Sequence, residues 1–149
     1  MSEVVYQVGG PFLRFAEEKI LSKDKFPEDS LAFGLVDGKE LLGVCVFTDY
    51  RETTINMHVA GAKKGWITRK FLRACFGYVF NELKCNTALG LVRTDNSDAL
   101  LFDTKLGFKV CGIIPKGDYD GRDFYLMAMT KEDCKWIKKA GTGKEKSNG

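Results

Sequence analysis

The sequence predicts an α/β domain, a mixed sheet with helices packed on its faces. Three observations carry this expectation. Residues 31–60 contain three successive apolar or alternating runs separated by turn signals. Residues 67–83 form one long apolar stripe at helical spacing, and residues 87–129 return to strand-like runs broken by a single short helical pattern.

Each element has its own signal. Pro11 opens PFLRFAEEKILSK, where Phe12, Phe15, Ala16, Lys19 and Ile20 follow a 3.6-residue period with charge opposite, so a helix is expected over 11–23. LAFGLV (31–36) ends at the hairpin signal Asp37-Gly38, and LLGVCVFTD (41–49) follows. In TTINMHVA (53–60), Thr54, Asn56, His58 and Ala60 face one way, and Thr53, Ile55, Met57 and Val59 the other. The loop Gly61 to Gly65 leads into a helix over 67–83, with Ile67, Phe71, Cys75, Val79 and Leu83 on one stripe and Leu72, Phe76 and Phe80 beside it. TALGLVR (87–93) is a strand, and Asn96 to Lys105 is a short helix ended by Gly107. Phe108 to Ile114 and Arg122 to Met129 are two last strands joined by PKGDYDG. One domain is expected over 1–139, followed by a disordered polar tail, AGTGKEKSNG, over 140–149.

Composition narrows the function classes. A chain of 149 residues, 44% hydrophobic and 29% charged, suits one soluble domain. A net charge of +3 permits an anionic ligand, but it lacks the basic stripe of a nucleic-acid binder, so nucleic acid is not an expected partner. Five Cys without a CxxC pair, and a single His, give no metal-ligand spacing. Reduced, mostly buried thiols in a cytoplasmic protein account for them. No apolar stretch approaches the ~20 residues that span a bilayer, and the N-terminus has no charged-then-apolar leader. No membrane partner is therefore expected. GTGK at 141–144 follows no strand and opens no helix, so it is not read as a phosphate loop.

Chemistry concentrates at two junctions. The first is the start of the long helix, where unpaired amides and a partial positive charge suit a phosphate. It is preceded by Gly61, Lys63, Lys64 and Gly65 and carries Thr68 and Arg69 in its first turn. Taken alone, this is equally an ordinary solvated loop. The second is Arg93-Thr94-Asp95-Asn96 after a strand, with Gly107-Phe108 downstream. An isolated Asn there is equally a helix cap.

Together these features resemble the GNAT superfamily of acyl-CoA-dependent N-acetyltransferases over roughly residues 5–137. The most specific part is RTDNSDALLFDTKLGFKVCGIIP (93–115). DYDGRDFYLMAMTKEDCKWI (118–137) resembles the end of the subgroup that acetylates protein N-termini, and compact GNAT-like proteins of tailed bacteriophages are similar too.

The resemblance implies a single mostly antiparallel sheet splayed into a V, with acetyl-CoA as cosubstrate. The pantetheine arm would pair with backbone at His58, Val59 and Ala60. The pyrophosphate would lie on Lys63, Lys64, Gly65, Trp66, Thr68 and Arg69. Asn96 would bond the pantetheine or a water near the sulfur, and Phe102 would line the cofactor. Two departures stand out. The family loop, Arg/Gln-x-x-Gly-x-Gly/Ala, aligns through Phe71-Leu72 with Lys63, Trp66 and Thr68, so both small residues are replaced, with Gly65 one position away. The usual Tyr that protonates the leaving sulfur is placed at Phe102, which has no proton to give.

The reaction implied is acetyl transfer to a primary amine by direct attack. The amine would belong to a protein N-terminus or a small molecule. His58, the only His, is the candidate proton acceptor because it titrates near neutrality. A structural His, or Glu52 and Asp49 acting through water, are the alternatives. Asp118, Asp120 and Asp123 are candidates to attract a cationic acceptor. The rival expectation is an inactive GNAT-fold structural or host-interaction protein of a phage. A monomer, or a homodimer paired through the last strands, is expected.

Overall fold

The computed structural model describes residues 1–20, 23 and 25–138. The expected tail, and residues 21 and 22 of the expected first helix, lie outside the described residues. Seven strands form one sheet: β1 (Ser2–Val8), β2 (Leu31–Asp37), β3 (Glu40–Thr48), β4 (Thr54–Gly61), β5 (Thr87–Arg93), β6 (Lys109–Ile114) and β7 (Phe124–Thr130). Their spatial order is β1-β2-β3-β4-β5-β7-β6. Every neighbouring pair is antiparallel except β4–β5.

The meander β2-β3-β4 matches the sequence expectation. Gly38 takes φ +63° in the tight turn between Asp37 and Glu40, a conformation that glycine adopts without strain. β1 was not expected from the sequence. It is an outer strand without a buried residue, with Val5, Tyr6 and Val8 exposed, and its only apolar run, Val4-Val5-Tyr6, is too short to stand out in the sequence.

Helices cover both faces. α1 (Pro11–Lys19) packs Phe12, Leu13 and Ala16 with Ala32, Val44, Val46 and Ala60 on one face. α2 (Arg69–Gly77) and α3 (Ser97–Leu106) cover the other, over a larger cluster built on Phe33, Phe47, Ile55, Met57, Phe71, Phe76, Phe80 and Met127. The helix expected over 67–83 is divided. After Gly77 the chain widens into a π-helical turn, Tyr78–Glu82, in which Leu83 N–H donates to the Tyr78 carbonyl at 2.8 Å. The apolar stripe runs straight through this turn, so side-chain periodicity does not register it. The turn sets the Tyr78 ring 5.2 Å from Phe33 and 5.0 Å from Phe47, at the mouth of the cleft described below.

Candidate functional site

The parallel pair β4–β5 meets only at Thr54–Asn56 against Thr87–Leu89. Past those residues β4 stays paired with β3 as far as Gly61, and β5 with β7 as far as Arg93, but nothing joins them to each other. The strands therefore diverge into a V. Backbone direction inside it follows from register. Ala62 N–H donates to the Leu42 carbonyl at 2.9 Å, one step beyond the pair Gly43–Gly61. Antiparallel pairs alternate between bonded and non-bonded residues. His58 and Ala60 consequently turn their backbone polar groups to β3, while Met57, Val59 and Gly61 turn theirs into the V. Of the three residues expected to offer backbone to a pantetheine arm, Val59 has its N–H and C=O in the opening.

Gly90 lies just past the last pair, at the narrow end. A Cβ there would stand 3.7 Å from the Met57 carbonyl oxygen and 3.8 Å from Asp103 Oδ2, in space the glycine leaves open.

The β4–α2 loop is held by Trp66. Its indole lies on the cross-strand pair Gly43–Gly61, so close that a Cβ on either glycine would collide with the ring. It also meets Phe71 with ring centroids 5.3 Å apart. Trp66 is thus a core residue whose small partners sit in the strands. Around it the loop is open: Lys63 and Lys64 are exposed, and Gly65 takes φ +77°. Thr68 caps α2, its hydroxyl accepting from Phe71 N–H at 3.2 Å. The Arg69 guanidinium sits 5.6 Å over the Trp136 ring, whose Nε1–H donates to the Leu106 carbonyl at the end of α3.

α3 closes the other side of the V. Asn96 is its cap, with Oδ1 accepting from Ala99 N–H at 3.1 Å. Asn96→Ala is therefore expected to lower stability by about 1 kcal/mol in denaturant titration, and any further loss of CoA affinity would report on its remaining amide group. Phe102 packs against the larger core cluster. Its neighbour Asp103 had not been singled out in the sequence. This carboxyl is half-buried, and desolvation alone pushes it up to about 7. The signal was present: Asp103 falls four residues after Ala99 and three before Leu106, an acid on the apolar face of the helix.

On the α1 side, His58 lines a cleft of about 510 Å³ with Phe26, Thr48, Asp49, Tyr78 and Leu91. Glu28 holds the segment roofing it, accepting from Gly10 N–H at 2.8 Å and pairing with Arg14 at 2.8 Å. Phe26 thereby comes to 4.9 Å from the imidazole, ring to ring. His58 Nε2 is hydrogen-bonded with the Thr48 hydroxyl at 2.7 Å. Burial pushes the imidazole down to about 4, against the opposing pull of the Asp49 charge, so the titration near neutrality expected from the sequence does not hold. Asp49 in turn accepts from Asn56 Nδ2 at 3.2 Å.

The acids expected to attract an amine are engaged elsewhere. Arg93 pairs with Asp95 at 2.9 Å and lies 3.5 Å from both Asp118 and Asp120. Arg122 joins Asp95 and Asp120, and Asp123 accepts from Lys116 N–H at 2.9 Å. These charges lock the β6–β7 turn to the end of β5. The carboxylates that line the cleft are Asp29 and Asp49. Among the described residues no group of His, Cys, Asp or Glu is arranged to hold a metal ion, and no helix is long and apolar enough to cross a membrane.

No family profile and no curated sequence matches the chain. Solved structures do. A spermidine N-acetyltransferase, SpeG, from Vibrio cholerae superposes with a TM-score of 0.61 at 18% identity, covering 68% of this chain and 64% of its own. A GNAT-family acetyltransferase from Bacillus anthracis gives 0.57 at 22% identity, covering 68% and 66%. The chain thus spans less than two thirds of the length of either protein. The superpositions give this chain, with its seven-stranded, mostly antiparallel sheet and flanking helices, the fold of the GNAT acetyltransferases.

Proposed function

We propose that the protein transfers an acetyl group from acetyl-CoA to a primary amine by direct attack. The observation that carries this reading is the V between β4 and β5, lined by unpartnered backbone at Val59 and left open by Gly90. An arm rich in amides pairs well with such a surface, and a strand-like fit needs no side chain from Gly90. Lys63, Lys64, Gly65, Arg69 and the first amides of α2 would hold the phosphates, with Thr68 and Trp66 fixing the loop they sit on. Acetyl-CoA supplies the activated thioester. The protein supplies orientation and backbone donors near the carbonyl.

The amine would enter the cleft beside His58. There Asp29 and Asp49 favour a cationic acceptor, and Phe26, Tyr78 and Leu91 its carbon chain. His58 is neutral at pH 7, and with its pKa held near 4 it would not keep the proton that the attacking nitrogen releases but relay it to water. A protein N-terminus and a small amine such as spermidine, the substrate named for one structural neighbour, are the acceptors to compare.

Calorimetric titration with acetyl-CoA, followed by turnover with both acceptors, tests the proposal. Saturable binding and amine-dependent release of CoA are expected; absence of binding at millimolar acetyl-CoA would sink it. His58→Gln is expected to lower kcat at pH 7 by about 100-fold. It should also change the pH dependence of stability. A folded-state pKa near 4, below the ordinary 6.5, stabilises the fold above pH 6.5, and that contribution is lost as pH falls through 4. The difference in unfolding free energy between wild type and His58→Gln should shift by about 3 kcal/mol across that window. A constant difference would show that the imidazole is not buried in its neutral form.

A further inference from the structure

Asp103 makes no side-chain hydrogen bond or ion pair among the described residues. A half-buried carboxyl with no charged partner is held toward its neutral form, and such groups mark places where chemistry can use them. Its position is specific. It projects from α3 toward the narrow end of the V, with Oδ2 3.8 Å from the point where a Cβ on Gly90 would stand and the Met57 carbonyl 3.7 Å from that same point.

The surroundings leave it alone there. β4 presents Met57 and Val59 to this face, and β5 presents Gly90 and Val92. α2 presents Phe71, Leu72, Phe76 and Cys75, whose thiol is hydrogen-bonded with Cys45. β7 adds Tyr125, opposite Val92 and so farther toward the wide end of the V. No charged neighbour contributes to the state of the carboxyl.

We propose that Asp103 is the acid that protonates the sulfur leaving the acyl group in the V. This assignment rests on the acetyl-transfer reading above. In the step, the amine nitrogen forms a bond to the acetyl carbon and the C–S bond breaks, its electron pair going to sulfur. Sulfur takes the proton from the Asp103 carboxyl, the proton shed by nitrogen goes to His58, and solvent returns the two residues to their starting states. An ordinary thiol has a pKa of about 8.5, so transfer from a carboxyl near 7 runs downhill. The two proton carriers lie on opposite faces of the sheet, one on each side of the reacting carbon.

The test is Asp103→Asn, with Asp103→Glu retaining the acid. Below pH 6 the Asn variant should turn over about 100-fold more slowly than wild type, while the Glu variant recovers part of the rate. The ratio of wild-type to Asn rates should shrink as pH rises past 7, since the wild-type acid is lost there; the acceptor's own titration cancels in the ratio. A second readout needs no turnover. CoA binding, followed calorimetrically at pH 7 in buffers of differing ionisation enthalpy, should draw in more of a proton in wild type than in Asp103→Asn, the difference being Asp103's share because the phosphates titrate alike in both. A rate ratio independent of pH, with equal proton uptake in both proteins, would overturn the donor role while leaving acetyl transfer intact. Wild type that binds no CoA would overturn the acetyl-transfer reading, and this assignment with it.

Discussion

Gly90→Val is expected to weaken acetyl-CoA binding by about 100-fold, or roughly 2.7 kcal/mol, while the protein stays folded. The added Cβ meets its nearest neighbours at 3.7 and 3.8 Å, ordinary contact distances, so the strand accepts it. The two γ-methyl groups then extend into the gap between Met57 and Asp103, where the arm of the cosubstrate would pass. Val also suits a strand better than Gly and restricts the unfolded chain, so thermal stability should hold or rise. Calorimetry and a melting curve on the same sample separate the two effects. Unchanged affinity in the Val variant would place the arm somewhere other than the narrow end of the V.

Trp66→Ala is expected to lower stability by about 3–5 kcal/mol, in the range of large aromatic deletions from a core. That corresponds to a melting temperature roughly 6–20 °C lower for a chain of this size. The reason is geometric. The indole fills a slot made by two glycines from adjacent strands, which have no side chains of their own to fill the space it leaves. Its removal also releases the loop carrying Lys63 and Lys64 from the sheet. Urea titration measures the first effect, and the residual affinity for CoA measures the second. A loss below about 1 kcal/mol would show that the ring is not seated on Gly43 and Gly61.

The elements legible in the sequence were those whose period is enforced by burial. The meander β2-β3-β4 and the stripe through α2 announce themselves because one face of each meets a core. β1 stayed hidden because its residues lie at the rim of the sheet. The π-helical turn at Tyr78 stayed hidden because an inserted residue can leave an apolar stripe unbroken. The site was read less fully, for a different reason. Alternation along 53–60 tells which side chains share a face, but only register tells whether Val59 or Ala60 offers its amide to the V. Trp66 read as an intruder in a phosphate loop because the glycines that receive it lie at 43 and 61. Asp118, Asp120 and Asp123 read as free charges because Arg93 and Arg122 reach them only in the folded chain. Asp103 was legible as an acid among apolar residues; what that face looks upon was not.

The three-pair seam between β4 and β5 has a consequence for how the sheet is finished. An open sheet ordinarily ends in two edge strands, each a template on which another strand can add. This one has four such borders, because past Asn56 and Leu89 the inner sides of β4 and β5 are edges as well. The outer pair faces solvent along β1 and β6. The inner pair is pinned at its base by the three-residue seam, and α3 packs on one face of the sheet there. On the acetyl-transfer proposal, a linear, amide-bearing chain without side groups would fill the gap. The molecule thus carries an unfinished sheet, with two inner borders along which the acetyl-transfer proposal would lay the arm of the cosubstrate.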